Sequence, residues 1–161
     1  MNKCLQMLTL GFLFAFGATS IASAADQPDP AIGTWVLNLD KSKFHGGAAP
    51  KSMTRTYSAG SAGTDMKVTG VAADGSAISQ TVTLTYDGKD CVIAGTPGLW
   101  DTLSLTKVNG STVKSVLKKD GKTVGHSTRS ISGKGKVLTL TSSLKTAKGG
   151  TTHDVAVYDK Q

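Results

Sequence analysis

Two residue types in this chain are scarce yet chemically versatile: arginine, at Arg55 and Arg129 alone, and histidine, at His45, His126 and His153. A guanidinium on an apolar strand face must find an acceptor, preferably an anion, because an uncompensated buried charge is costly. Arg55 alternates in phase with Met53 and Tyr57, so the three share one face of a predicted strand. If that face is the interior, Arg55 is a buried cation that an anionic ligand group can satisfy. If it is the exterior, Arg55 is an ordinary solvated charge. Arg129 shares a face with Ser127 and Ile131 and carries the same two readings. Arg55, Tyr57, Trp100 and Arg129 are the candidate ligand contacts.

The other reactive side chains argue against catalysis. Three imidazoles and a water suit zinc, but His45 falls in a predicted loop, and His126 and His153 fall on separate strands without short ligand spacing. A hydrolase needs a nucleophile beside a base. In Gly125-His126-Ser127-Thr128 the strand period sends His126 and Ser127 to opposite faces, and no Gly-x-Ser-x-Gly elbow occurs. Glutamate is absent, and the aspartates fall mainly at turns, where their side chains serve the backbone. Cys91, in the apolar run Cys91-Val92-Ile93-Ala94, reads as a buried small hydrophobe. No catalytic residue, metal or cofactor is predicted, and the chain reads as non-enzymatic.

Short alternating segments position these residues. Gly33 to Leu39 reads as the first strand, with Trp35, Leu37 and Leu39 on one face. Asp40 to Pro50 reads as a loop with Phe44 as an anchor. Ile78, Val82, Leu84 and Tyr86 face one way while Ser79, Thr81, Thr83 and Thr85 face the other. Asp74-Gly75, Asp87-Gly88, Asn109-Gly110 and Asp120-Gly121 are dipeptides suited to two-residue hairpin turns. Turn signals about every ten residues, with no helical stretch between them, predict an all-β antiparallel up-and-down meander of eight to ten strands. Closure into a barrel removes exposed sheet edges and is favoured over an immunoglobulin-like sandwich.

The N-terminus predicts export. Lys3, an apolar stretch from Leu5 to Ala18, and Ala22-Ser23-Ala24 have the layout of a secretory signal cleaved near Ala24. Residues 1–24 are thus read as signal peptide, 25–31 as a short polar leader and 32–161 as one barrel domain, acting in the periplasm or after secretion. The apolar stretch is too short and too interrupted for a membrane anchor, and Cys4 lies at the wrong end for a lipid anchor. The net charge of +7 becomes +6 when Lys3 departs. Its lysines are scattered among turns and strand ends with few aromatics between them, which speaks against a nucleic-acid partner. A monomer is predicted.

Gly33-Thr34-Trp35 at the start of the first strand is similar to the G-x-W signature of the calycin barrels, the lipocalins and fatty-acid-binding proteins. Together with Lys41-Ser42-Lys43-Phe44, Gly95-Thr96-Pro97, Asp101-Thr102-Leu103-Ser104-Leu105 and the ending Val157-Tyr158-Asp159-Lys160-Gln161, the chain resembles small exported bacterial proteins of lipocalin-like type. The resemblance implies a lipocalin-like barrel with Trp35 plugging one end and, as an alternative role for Arg129, stacking on Trp35. The ending also resembles that of fatty-acid-binding proteins, in which an arginine two residues before the tyrosine grips a carboxylate. Here that position is Ala156, so fatty-acid carriage is not implied. Two functions remain: an exported barrel binding a small, largely apolar or anionic ligand, or a solid barrel acting through its surface as an envelope-stress or inhibitor-like interaction module.

Overall fold

Residues 28–46, 48–146 and 149–161 are described in the computed structural model. The predicted signal peptide 1–24 and the first residues of the predicted leader lie outside the described residues. Eleven strands follow in chain order: β1 Gly33–Lys43, β2 Ser52–Ala59, β3 Thr64–Val71, β4 Ala77–Leu84, β5 Asp87–Val92, β6 Ala94–Gly95, β7 Thr102–Lys107, β8 Thr112–Lys119, β9 Lys122–Ser132, β10 Val137–Lys145 and β11 Thr151–Lys160. Period-two patterning decides which side chains go inside. Val113, Ser115 and Leu117 of β8 and Gly125, Ser127, Arg129 and Ile131 of β9 are buried, while Lys114 and His126 are exposed.

Every strand pair is antiparallel, and the sheet runs β5-β7-β8-β9-β10-β11-β1-β2-β3-β4-β6. Strand β1 joins the two ends of the chain, pairing Trp35 with Lys160 of β11 and with Arg55 of β2. One continuous sheet that curls back on itself is a nearly closed up-and-down barrel, not a sandwich. The count exceeds the predicted eight to ten because one crossing segment splits at Ile93. Its first part, β5, pairs with β7, and its second, β6, crosses to pair Gln80 and Thr81 of β4. Gly95 permits that crossing at φ 104°, where an added Cβ would meet the Ser79 carbonyl.

Several local readings change. Of the predicted two-residue turns, Asp120-Gly121 alone is one, between the paired Lys119 and Lys122, whereas Asp74-Gly75 and Asn109-Gly110 lie in the longer loops 72–76 and 108–111. Asp87-Gly88 does not close a two-residue hairpin, because β5 starts at Asp87 and pairs with β7 rather than β4. The barrel therefore has a seam there, into which Cys91 projects and accepts a hydrogen bond from the Thr85 backbone N–H at 3.4 Å. The predicted loop from Asp40 is instead strand as far as Lys43, with a register shift between Asn38 and Lys43. Ser42 Oγ fills that irregularity by accepting from Val157 N–H at 2.9 Å and donating to the Asn38 carbonyl at 2.6 Å. Phe44 packs against the core at its edge.

The core lies inside the barrel. Trp35, Tyr158, Leu84 and Leu138 are its largest fully buried side chains. The Trp35 indole N–H donates to the Ala31 carbonyl at 2.6 Å. A large aromatic with its polar edge satisfied contributes burial without leaving an orphaned donor.

Candidate functional site

The barrel interior contains two guanidinium groups, which meet different fates. Arg129, on β9, forms a buried ion pair with Asp29, its Nη2 lying 2.9 and 3.2 Å from the two carboxylate oxygens. Asp29 precedes β1 in a turn closed by the Ile32 N–H to the Asp29 carbonyl at 2.9 Å. Its carboxylate also accepts from the Ala31 N–H at 2.9 Å, from Thr64 Oγ1 at 3.4 Å and from the Tyr86 hydroxyl. Burial pushes the Asp29 carboxyl up, but the Arg129 charge and these donors outweigh it and hold it below its ordinary value. Burial, assisted by the Asp29 charge and against the pull of Arg129, pushes the Tyr86 phenol up to about 12, so it donates. The segment read as a polar leader thus supplies a buried anion to the barrel interior.

Arg129 does not stack on Trp35. Its guanidinium lies 5.3 Å from the Tyr57 ring centre and 5.7 Å from that of Tyr86, while Lys160 Nζ covers Trp35 at 5.1 Å. The neighbouring strand registers put Lys160, not Arg129, opposite Trp35. The Nε and Nη1 groups of Arg129 are buried without a hydrogen-bond partner among the described residues.

Arg55, on β2, also points inward, and it pairs with no carboxylate among the described residues. Its Nε donates to the Tyr158 hydroxyl at 3.1 Å, and its guanidinium lies 5.3 Å from that ring's centre. The terminal nitrogens face thioethers: Nη1 is 3.5 Å from Met66 Sδ and Nη2 is 4.0 Å from Met53 Sδ. The Tyr158 hydroxyl in turn donates to Met53 Sδ at 3.1 Å. Sulfur is a weak acceptor, so the guanidinium is enclosed by groups that orient it and do little to neutralise it. Burial acts against its charge, while the phenol oxygens of Tyr158 and Tyr57 hold its pKa above the ordinary value.

All four candidate contacts, Arg55, Tyr57, Trp100 and Arg129, line one inner cavity of about 60 Å³. That is room for a few waters or a compact head group. A wider space of about 380 Å³ at the mouth shares Arg55, Val68, Gln80 and Trp100 with it and adds Met53, Ile78 and Leu99. The mouth alone falls at the low end of small-molecule sites. Trp100 stands where the two spaces meet, on the segment between β6 and β7. Sequence reasoning brought out the two arginines through their rarity and shared phase; it missed Asp29, which no periodicity marks.

The histidines do not assemble. His126 and His153 both pair opposite Ser143, from either side of β10, and all three histidines are exposed. Two inter-strand spacings of roughly 4.8 Å put the imidazoles about 10 Å apart, too far to share an ion bound at roughly 2 Å. Among the described residues no group of three or more His, Cys, Asp or Glu could hold a metal ion. His126 is exposed and Ser127 buried, on opposite faces of β9.

No family model and no curated protein matches the chain. Among solved structures, it is similar to the zebrafish ileal bile acid-binding protein complexed with cholic acid, with a TM-score of 0.51 and 15% identity over 82% of this chain and 99% of that one. An alignment with the siderocalin Ex-FABP covers 82% of this chain and 74% of that one at 12% identity, and its TM-score of 0.35 adds nothing to the argument. At these identities the likeness is one of fold, and the fold is the lipocalin-like antiparallel β-barrel.

Proposed function

We propose that this barrel is a non-enzymatic binding protein for a small amphiphilic anion. The charged group would lie against Arg55, within reach of Tyr57 and the unpartnered N–H groups of Arg129, and the apolar body would fill the mouth beneath Trp100 and Leu99. The observation that carries this reading is the charge imbalance of the interior among the described residues: two inward guanidinium groups and one buried carboxylate, which is already bound to Arg129. An anion with several acceptor atoms would supply Arg55 with what two thioethers and a phenol do not. The name of the zebrafish neighbour's ligand, an acidic amphiphile, is in keeping with this chemistry. We also propose that the protein acts as a monomer in the periplasm or after secretion, following cleavage near Ala24.

Decanoate and decanol, which share a tail and differ in charge, test the reading by calorimetric titration. Decanoate binding well above decanol is expected; equal affinities, or none for either, would overturn it. Native mass spectrometry of protein from its host, before and after organic extraction, identifies the resident ligand class. The small volume of the inner cavity favours the second reading, a barrel working through its surface, and a clean apo mass with no response to decanoate is the result expected of it.

A further inference from the structure

Beyond residues 1–24 the chain contains methionine at positions 53 and 66 and nowhere else. Both sulfurs touch the same guanidinium, from β2 itself and from β3 beside it. That coincidence has a chemical meaning, because a thioether is a weak acceptor and its sulfoxide a strong one. Both side chains are only partly buried, and Met53 lines the open mouth, so a small oxidant can reach them.

We propose that Met53 and Met66 form an oxidation-sensitive pair that controls Arg55. Hydrogen peroxide supplies the oxidant: the sulfur lone pair attacks one peroxide oxygen, an S–O bond forms as the O–O bond breaks, and the proton on the transferred oxygen passes to the departing hydroxide, which leaves as water. The sulfur is oxidised by two electrons and the peroxide is reduced by two. The new S=O oxygen, on a flexible side chain already in contact with Nη1 or Nη2, accepts a charge-assisted hydrogen bond from Arg55. The guanidinium then has an internal acceptor and no longer needs an external anion. Reduction of the sulfoxide restores the open site. The consequence for ligand binding rests on the function proposed above, whereas the sulfoxide–Arg55 contact does not.

The closing experiment keeps the two apart. The purified protein is treated with hydrogen peroxide while folded, peptide mapping locates the added oxygen, and thermal unfolding is compared before and after for wild type and Arg55→Leu. Oxidation is expected at Met53 and Met66, with a clearly larger fall in Tm in Arg55→Leu than in wild type, because only wild type offers the new oxygen a donor. If Arg55→Leu fails to fold, Arg55→Lys replaces it, with a fall larger than that of wild type, because one ammonium lacks the planar fork of donors that meets both sulfoxides. Equal falls, or no oxidation of either methionine in the folded protein, would overturn the proposal. In wild type, decanoate affinity should drop about tenfold or more on oxidation, the scale of one charge-assisted hydrogen bond, and Met53→Leu/Met66→Leu should abolish that response. If decanoate never binds the reduced protein, the proposed function fails while the thermal comparison still judges the contact.

Discussion

Replacing Asp29 with asparagine tests whether the segment preceding β1 is part of the barrel's stability. The substitution is nearly isosteric, so it opens no cavity, and its cost is electrostatic. Asp29 and Arg129 side chains are 4% and 8% exposed, and an amide leaves the Arg129 charge uncompensated, with two of its nitrogens already unpartnered among the described residues. Removing one partner of a buried pair costs about 3–5 kcal/mol. At about 3–5 °C per kcal/mol for a domain of this size, Tm should fall by roughly 10–20 °C. Urea unfolding followed by tryptophan fluorescence measures the cost, and Asp29→Asn combined with Arg129→Met should recover most of it, since neither charge of the pair remains. The pH dependence has a definite direction. The Asp29 carboxyl is held below its ordinary value in the folded state, so its contribution is complete above the unfolded value near pH 4 and is lost as pH falls through the folded one. The gap between wild type and variant should be constant above about pH 5 and shrink below pH 4. A cost under about 1 kcal/mol, or a gap that ignores acid, would refute the pairing.

Arg55→Leu should leave stability unchanged or raise it, because a charge without an anionic partner is removed, while weakening decanoate about 10- to 100-fold; calorimetry and urea unfolding read the two effects, and a stability loss above 2 kcal/mol would contradict the site. Gly121→Ala should cost about 1–2 kcal/mol, since Asp120 and Gly121 both have positive φ, 50° and 73°. Gly110→Ala, where an added Cβ meets nothing within 4 Å, should be close to neutral by the same thermal melt. Trp35→Ala should cost about 3–5 kcal/mol, seen as a lower urea midpoint.

The residue sequence by itself determined the local geometry. Alternation fixed which side chains share a face, as with Met53, Arg55 and Tyr57, because a strand offers only two directions. Turn dipeptides such as Asp120-Gly121 fixed where neighbouring strands meet, because few residues tolerate positive φ. Alternation is symmetric between the two faces, however, and it cannot say which becomes the interior. That was decided by closure of β1 onto both β2 and β11, which turned Arg55 and Arg129 inward together. The seam beside β5 likewise follows from how the sheet closes and not from Asp87-Gly88, a dipeptide that reads like the others. Asp29 was the least legible residue of all: its partner lies 100 positions away, and a lone aspartate next to a proline looks like any turn. Pairing over that distance is selected by the tertiary structure alone, because only the assembled barrel creates a buried charge for Asp29 to neutralise.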